Sequence, residues 1–254
     1  MIKNTFIILD GVGDKKESLI WQQDIKTWDE FIQKEKVPRI SEKTKTIHDA
    51  ELQVAKENLN ERNSRYFSRR LKTRDHWRLF EDFEKICYLD IETTGFDADR
   101  SDLTVVGLYD GENVKTYIKG FNLEEKALKD ELSKYHLIVT FFGSAFDVPF
   151  IKRKFPTIDF DMPHFDLCFA GRRIGLSGGL KHIEKVVGIK RDEEVVGIDG
   201  YEAVRLWKRW IKNNDTEALR TLTKYNQEDI LNLKPLADMI YKRLKEATFK
   251  NRIY

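Results

Sequence analysis

Three stretches of the chain carry acids where an apolar setting makes them conspicuous. Asp90 and Glu92 stand in Tyr88-Leu89-Asp90-Ile91-Glu92-Thr93-Thr94-Gly95, at the end of an apolar run. Side chains two apart in a strand share a face, so both carboxylates project the same way. Burying two like charges costs several kcal/mol without a counter-ion. A divalent cation would supply one; the plain alternative is a pair of strand-end acids solvated by water. Asp147 follows Thr140-Phe141-Phe142-Gly143-Ser144-Ala145-Phe146 at a strand-to-helix junction. There it either stabilises a helix N-terminus or adds a third carboxylate to the same sheet edge. Tyr225 and Asp229 are four apart in Lys224-Tyr225-Asn226-Gln227-Glu228-Asp229-Ile230, beside a helical stripe of Leu219, Leu222, Ile230 and Leu233. Spacing of i and i+4 puts them on one helix face. A half-buried acid there needs a partner, either an arginine or a metal ion beside a phenol that orients a water.

The elements that must hold these residues alternate between strand and helix. Strands are predicted over 86–91, 103–109, 114–118 and 137–142, the second and third joined by the turn Asp110-Gly111-Glu112. Helices are predicted over 123–132, 146–155, 183–187, 201–211 and from 217 onward, with Pro149 tolerated in a first turn. A glycine-rich loop occupies 171–180. This order reads as α/β: a hairpin-led mixed sheet flanked by helices. His164 and Asp166 flank another strand end, where Asp166 either caps a helix starting at Leu167 or supports the acids from behind. Arg172, Arg173 and Lys181 around the loop either meet phosphate or are solvated.

The region before residue 83 has a different texture. Residues 1–40 read as a small helical module, and 41–82 as a basic helical connector leading into the α/β domain over 83–254. Arg62, Arg65, Arg69, Arg70, Lys72, Arg74 and Arg78 crowd the connector, with Tyr66, Phe67 and Trp77 among them. Positive charge interleaved with rings is how single strands are gripped. A solvated helix face paired with the chain's many acids accounts for the run equally well.

Composition bounds the answer. Of 254 residues, 41% are hydrophobic and 35% charged, with a net charge of +2, which suits a globular chain with a densely charged surface. The two cysteines, Cys87 and Cys168, lie far apart in apolar stretches, a pattern of neither a disulfide framework nor a zinc site. No stretch approaches a membrane span, and the first apolar run is too short for a signal peptide, so a cytoplasmic protein is expected.

Taken together and in order, these segments carry a resemblance. Residues from about 85 to 245 resemble the YprB-type branch of the DEDD exonucleases, within the ribonuclease H-like superfamily. The matching motifs are YLDIETTGF, VTFFGSAFDVPFI and YNQED; HFDLCFAGRR and LKHIEKVVGIKRDEEVVGIDGYEAVRLW also resemble the intervening region. The resemblance implies a ribonuclease H-like sheet and a DEDDy-type 3′–5′ exonuclease acting on single-stranded DNA or RNA. It implies two Mg²⁺ or Mn²⁺ ions held by Asp90, Glu92, Asp147 and Asp229, with Asp90 bridging and Tyr225 orienting the attacking water. One departure is that Phe142 stands where the branch usually has Asn. The same motifs leave open a structure-specific endonuclease on junctions or flaps. A catalytically silent nucleic-acid-binding protein is the third reading, and retention of every acid argues against it.

Ile8-Leu9-Asp10-Gly11-Val12-Gly13-Asp14-Lys15-Lys16 resembles the hairpin of a helix-hairpin-helix element. Such loops expose backbone N–H groups to phosphate without reading sequence, although a plain turn fits the same residues nearly as well. Gly11, Gly13 and Lys15 are therefore candidate nucleic-acid contacts, with Arg69, Arg70, Lys72 and Lys181.

Overall fold

The computed structural model describes residues 1–250. Its first third is helical. After a short 3₁₀ turn at Ile2–Asn4 come α1 (Asp14–Gln22), α2 (Trp28–Gln33), α3 (Glu42–Asn60), α4 (Ser64–Arg70) and a 3₁₀ segment at Thr73–Leu79. Side chains set the starts: Thr27 and Glu30 form a reciprocal capping box on α2, Ser41 caps α3, and Asn63 caps α4.

The rest is the mixed α/β unit. Strands β1 (Ile86–Thr93), β2 (Leu103–Tyr109), β3 (Val114–Ile118), β4 (Leu137–Thr140) and β5 (His164–Asp166) form one sheet in the order β3-β2-β1-β4-β5. β1, β2 and β3 pair antiparallel, whereas β4 and β5 join in parallel on the other side of β1. Helices α5 (Glu125–Leu132), α6 (Asp147–Lys154), α7 (Leu167–Arg172), α8 (Leu180–Val187), α9 (Gly200–Asn213) and α10 (Thr216–Lys250) complete it.

Strand alternation divides β1 between two cores. Cys87, Leu89 and Ile91 face Leu128 and Leu132 of α5 and Phe150 and Ile151 of α6. Tyr88 faces the opposite core, built around Leu233, Leu236, Ile240 and Leu244 of α10. Asp90 and Glu92 share that second face by parity, so α10 is the element that meets them.

The N-terminal helices share the α10 core instead of forming one of their own: Phe6, Trp28, Phe67 and Trp77 belong to it. Arg78 and Glu17 pair within this interior at 2.9 and 3.1 Å, both side chains wholly buried. Phe67 and Trp77 are therefore core residues and cannot stack on bases, against one of the two readings of the basic run. Much of that run is paired: Arg62 with Glu84, Arg65 with Asp161, Arg70 with Glu51, and Arg74 with Asp14. Arg69 and Lys72 are exposed.

Several predicted bounds shift by two or three residues; β1, for example, runs on to Thr93. The fourth strand ends at Thr140, because Phe142 turns to φ +66° and gives its N–H to Asp166. Helix α8 begins at Leu180, ahead of the predicted 183. Both cysteines are free and buried. Among the described residues no helix is long and apolar enough to cross a membrane. Residues 251–254 of the expected catalytic domain lie outside the described residues.

Candidate active site

The site begins where β1 runs out of partners. A register shift between Glu92 and Thr93 ends regular pairing with β2, leaving Asp90 and Glu92 at the strand's last regular positions. Gly107 of β2 lies opposite Asp90 in the register. A Cβ there would collide with Asn226 Oδ1, so only glycine lets α10 come this close. Asn226 uses the space: its Nδ2 donates to Asp90 Oδ2 at 2.9 Å and to the Asp90 carbonyl at 3.3 Å. Asp229 follows one helical turn later. One carboxylate oxygen each from Asp90, Glu92 and Asp229 lies within 4.8 Å of the other two.

Asp147, the first residue of α6, is buried beside this cluster but outside it; its Oδ1 accepts from the Ile91 backbone N–H at 3.2 Å. The loop leading to it is held by Asp166. That carboxylate accepts from Phe142 N and Ser144 N at 2.9 Å each, from Ser144 Oγ at 2.6 Å, and from Cys168 N at 3.0 Å. Asp166 is thus a helix cap and a loop anchor at once. His164 faces away from the cluster, with Nε2 2.8 Å from Thr140 Oγ1 and its backbone N–H donating to His76 Nδ1 at 3.0 Å.

Electrostatics follow from the crowding. Burial, then the neighbouring Asp229 and Asp147, raise Asp90 and Glu92 well above ordinary carboxylates, with Glu92 adding to the rise at Asp90. Burial also raises Asp147, to about 7, despite the backbone N–H groups that favour its charged form. Asp229 is raised by burial and partly relieved by Arg191, whose Nη2 donates to its Oδ1 at 2.5 Å. Tyr225, four residues before Asp229, lines the same cleft, and Lys181 Nζ sits 4.5 Å from its ring centre while donating to the Ile198 carbonyl. Burial, then Asp229, Glu92 and Asp90, raise the Tyr225 phenol above its usual value.

These groups floor a cleft of about 760 Å³. Exposed Phe96 and Phe142 line it, together with Tyr201, Arg205 and Lys208 of α9. Asn226, Arg191, its partner Glu184 and the α9 wall are absent from the residues singled out by sequence. Asn226 lies inside the YNQED motif, but only the glycine opposite Asp90 shows why it must be there. Of the other candidates, Gly11, Gly13 and Lys15 are exposed at the start of α1, and Gly11 is left-handed at φ +67°. They, Arg69, Arg70 and Lys72 lie in the N-terminal helical region and do not line the cleft.

A family model described as RNase_H superfamily matches residues 87–241, the span from β1 into α10 that carries every acid of the site. The chain belongs to the RNase H superfamily. Comparison with curated proteins gives no match. Among solved structures, the family B DNA polymerase of Pyrobaculum calidifontis superposes with a TM-score of 0.52 at 16% identity, over 61% of this chain and 24% of that one. This chain therefore spans about a quarter of the polymerase, and the likeness is one of fold. Brucella melitensis NrnC with bound Mg²⁺ gives 0.47 at 20% identity, over 66% and 78% of the two chains. Escherichia coli RNase D gives 0.48 at 16% identity, over 72% and 48%.

The donor set of this RNase H superfamily member suits a hard divalent cation. All three clustered groups offer oxygen, which favours such a cation over metals that prefer nitrogen or sulfur. Like charges this close, with raised pKa values, are the condition a cation relieves.

Proposed function

We propose that the protein is a metal-dependent 3′–5′ exonuclease of the DEDDy type that hydrolyses phosphodiester bonds of single-stranded DNA or RNA. The observation that carries this reading is the convergence of Asp90, Glu92 and Asp229 oxygens within 4.8 Å on the floor of an open cleft. Superfamily membership supports a nuclease. Polarity, substrate and the YprB-type assignment rest on the resemblance of the three motifs.

Asp90, Glu92 and Asp229 would hold the cations, with Asp147 completing the set. Divalent ions bound there would supply hydroxide at neutral pH and neutralise charge developing on the phosphoryl oxygens. The protein's own groups do the rest. Asn226 holds Asp90 in one orientation. Tyr225, its phenol raised, stays protonated at neutral pH; it can orient a water by hydrogen bonding but cannot take its proton. Lys181 places a positive charge over that ring. Arg205 and Lys208 suit phosphate, and exposed Phe96, Phe142 and Tyr201 offer faces on which bases can stack. Gly11, Gly13, Lys15, Arg69, Arg70 and Lys72 would add backbone contacts away from the cleft.

The test is cleavage of 5′-labelled single-stranded DNA and RNA in Mn²⁺ or EDTA, with Asp90→Ala as control. The expected result is a cation-dependent ladder shortening from the 3′ end and absent in the variant. Equal activity in the variant, or no cleavage of either strand, overturns the reading. Circular substrates separate it from an endonuclease, which alone would cut them.

A further inference from the structure

Arg191 enters the acidic cluster from the loop after α8, and the reaction above makes no use of it. Its Nε donates to Glu184 Oε2 at 2.5 Å and its Nη2 to Glu184 Oε1 at 2.8 Å, a fork matched to a carboxylate. The same Nη2 donates to Asp229 Oδ1 at 2.5 Å. The Arg191, Glu184 and Asp229 side chains are 9%, 2% and 7% exposed. The loop's shape brings the partners together. α8 ends at left-handed Gly188, and Ile189 N–H closes onto the Glu184 carbonyl at 2.9 Å, reversing the chain past Glu184.

The charges explain why two residues are needed. A lone arginine on Asp229 would neutralise an acid of the cluster and repel a cation. Glu184 cancels that charge, so Arg191 brings its donors to Asp229 without adding net positive charge. One carboxylate oxygen of Asp229 is thereby fixed, and the group keeps a second oxygen to offer. The fork is held even though Arg191 Nη1 is left buried with no hydrogen-bond partner.

We propose that Glu184 and Arg191 form a charge-neutral clamp that orients Asp229 for cation binding, with Arg191 as a positioning residue. The inference rests on the metal-dependent reading above, but its test does not require cleavage. Mn²⁺ is titrated calorimetrically into the metal-free full-length chain and into Arg191→Gln, Arg191→Lys, Glu184→Gln and the double Glu184→Gln/Arg191→Gln variant. Circular dichroism checks folding. Arg191→Gln should weaken Mn²⁺ binding by roughly 10–100-fold, the usual cost of losing a group that orients a ligand, and Arg191→Lys should lose less. Glu184→Gln should also weaken binding, because it leaves the arginine's charge uncompensated. The double variant, with two neutral amides, should bind Mn²⁺ more tightly than Glu184→Gln alone. On a cleavable substrate, kcat should fall with KM held.

Unchanged or tighter Mn²⁺ binding by folded Arg191→Gln overturns the clamp; should that variant not fold, unchanged binding by Arg191→Lys together with no gain in the double variant does so. Wild-type protein that binds Mn²⁺, with weakened variants but no cleavage of any strand, upholds the clamp and overturns the nuclease. Absence of Mn²⁺ binding by the wild type overturns both.

Discussion

Asn226 Nδ2 lies 2.9 Å from Asp90 Oδ2, so a single amide on α10 sets the orientation of the first acid on β1. The contact spans 136 residues of sequence and joins the two elements that carry Asp90 and Asp229. Asn226 is wholly buried, and its amide occupies the space that a Cβ on Gly107 would fill. Chemistry at this site therefore depends on a packing detail of β2, a strand that contributes no acid.

Asn226→Ala should leave the fold in place and lower cleavage by about 10–100-fold, since the ligand survives but its orientation does not. Initial rates against Mn²⁺ concentration measure this. A variant with wild-type rates at every Mn²⁺ concentration would remove Asn226 from the account.

Gly107→Ala should destabilise the protein by about 1–3 kcal/mol, as overpacking does. The added methyl would meet Asn226 Oδ1, Asn226 Cγ at 3.0 Å and Ile230 Cδ1 at 3.2 Å. Denaturant melts give the stability, and the same preparation should show the activity loss of Asn226→Ala. A stable Gly107→Ala enzyme with full activity would mean that β2 and α10 separate freely.

How much of this was legible beforehand follows the range of the interactions. β2 and β3 match their predicted spans because a short run rich in β-formers and an Asp-Gly turn are local signals. Asp90, Glu92 and Asp229 were visible as acids in apolar settings, and the structure gathers them. Asp229 was expected to need either an arginine or a cation; it has Arg191 on one oxygen and two further carboxylates beside it. What stayed hidden was long-range. Nothing near Glu17 or Arg78 in sequence announces that they pair, 61 residues apart, inside a core shared with α10. Phe67 and Trp77 looked available to bases because periodicity cannot say what covers a helix.

Asp166→Asn should unseat the loop that carries Asp147. The carboxylate accepts from Phe142 N, Ser144 N, Ser144 Oγ and Cys168 N; an amide keeps one accepting oxygen and turns an N–H₂ toward donors. Losing hydrogen bonds to a charged group costs about 1.5–3 kcal/mol, and Phe142 at φ +66° is strained enough to relax once released. Urea unfolding should show the loss, and kcat should fall more than KM rises. Unaltered stability would show that the loop holds itself.

Stability of the metal-free protein should fall as pH rises from 6.5 to 8. Burial raises Asp147 from the usual 3.8 to about 7, and Asp90, Glu92 and Asp229 are raised as well. Over the window between the unfolded and folded values the native state holds protons that the unfolded chain has released, so each upward step in pH favours unfolding. Burial lowers His76, His136 and His164, the last to about 4, which acts in the opposite sense until unfolded histidine, with its usual value near 6.5, has lost its proton about one pH unit higher. Glu81 and Glu131, both drawn down to about 2, change the balance only in acid. The four raised acids outnumber these histidines, whose opposing contribution fades by about pH 7.5, so the acidic cluster sets the sign of the slope. Melting temperatures in EDTA should decline across this range, and saturating Mg²⁺ should remove the decline by taking the place of the protons. Asp147→Asn should flatten part of the slope in EDTA. A melting temperature in EDTA that holds or rises from pH 6.5 to 8 would mean that the four acids do not hold protons in the folded protein.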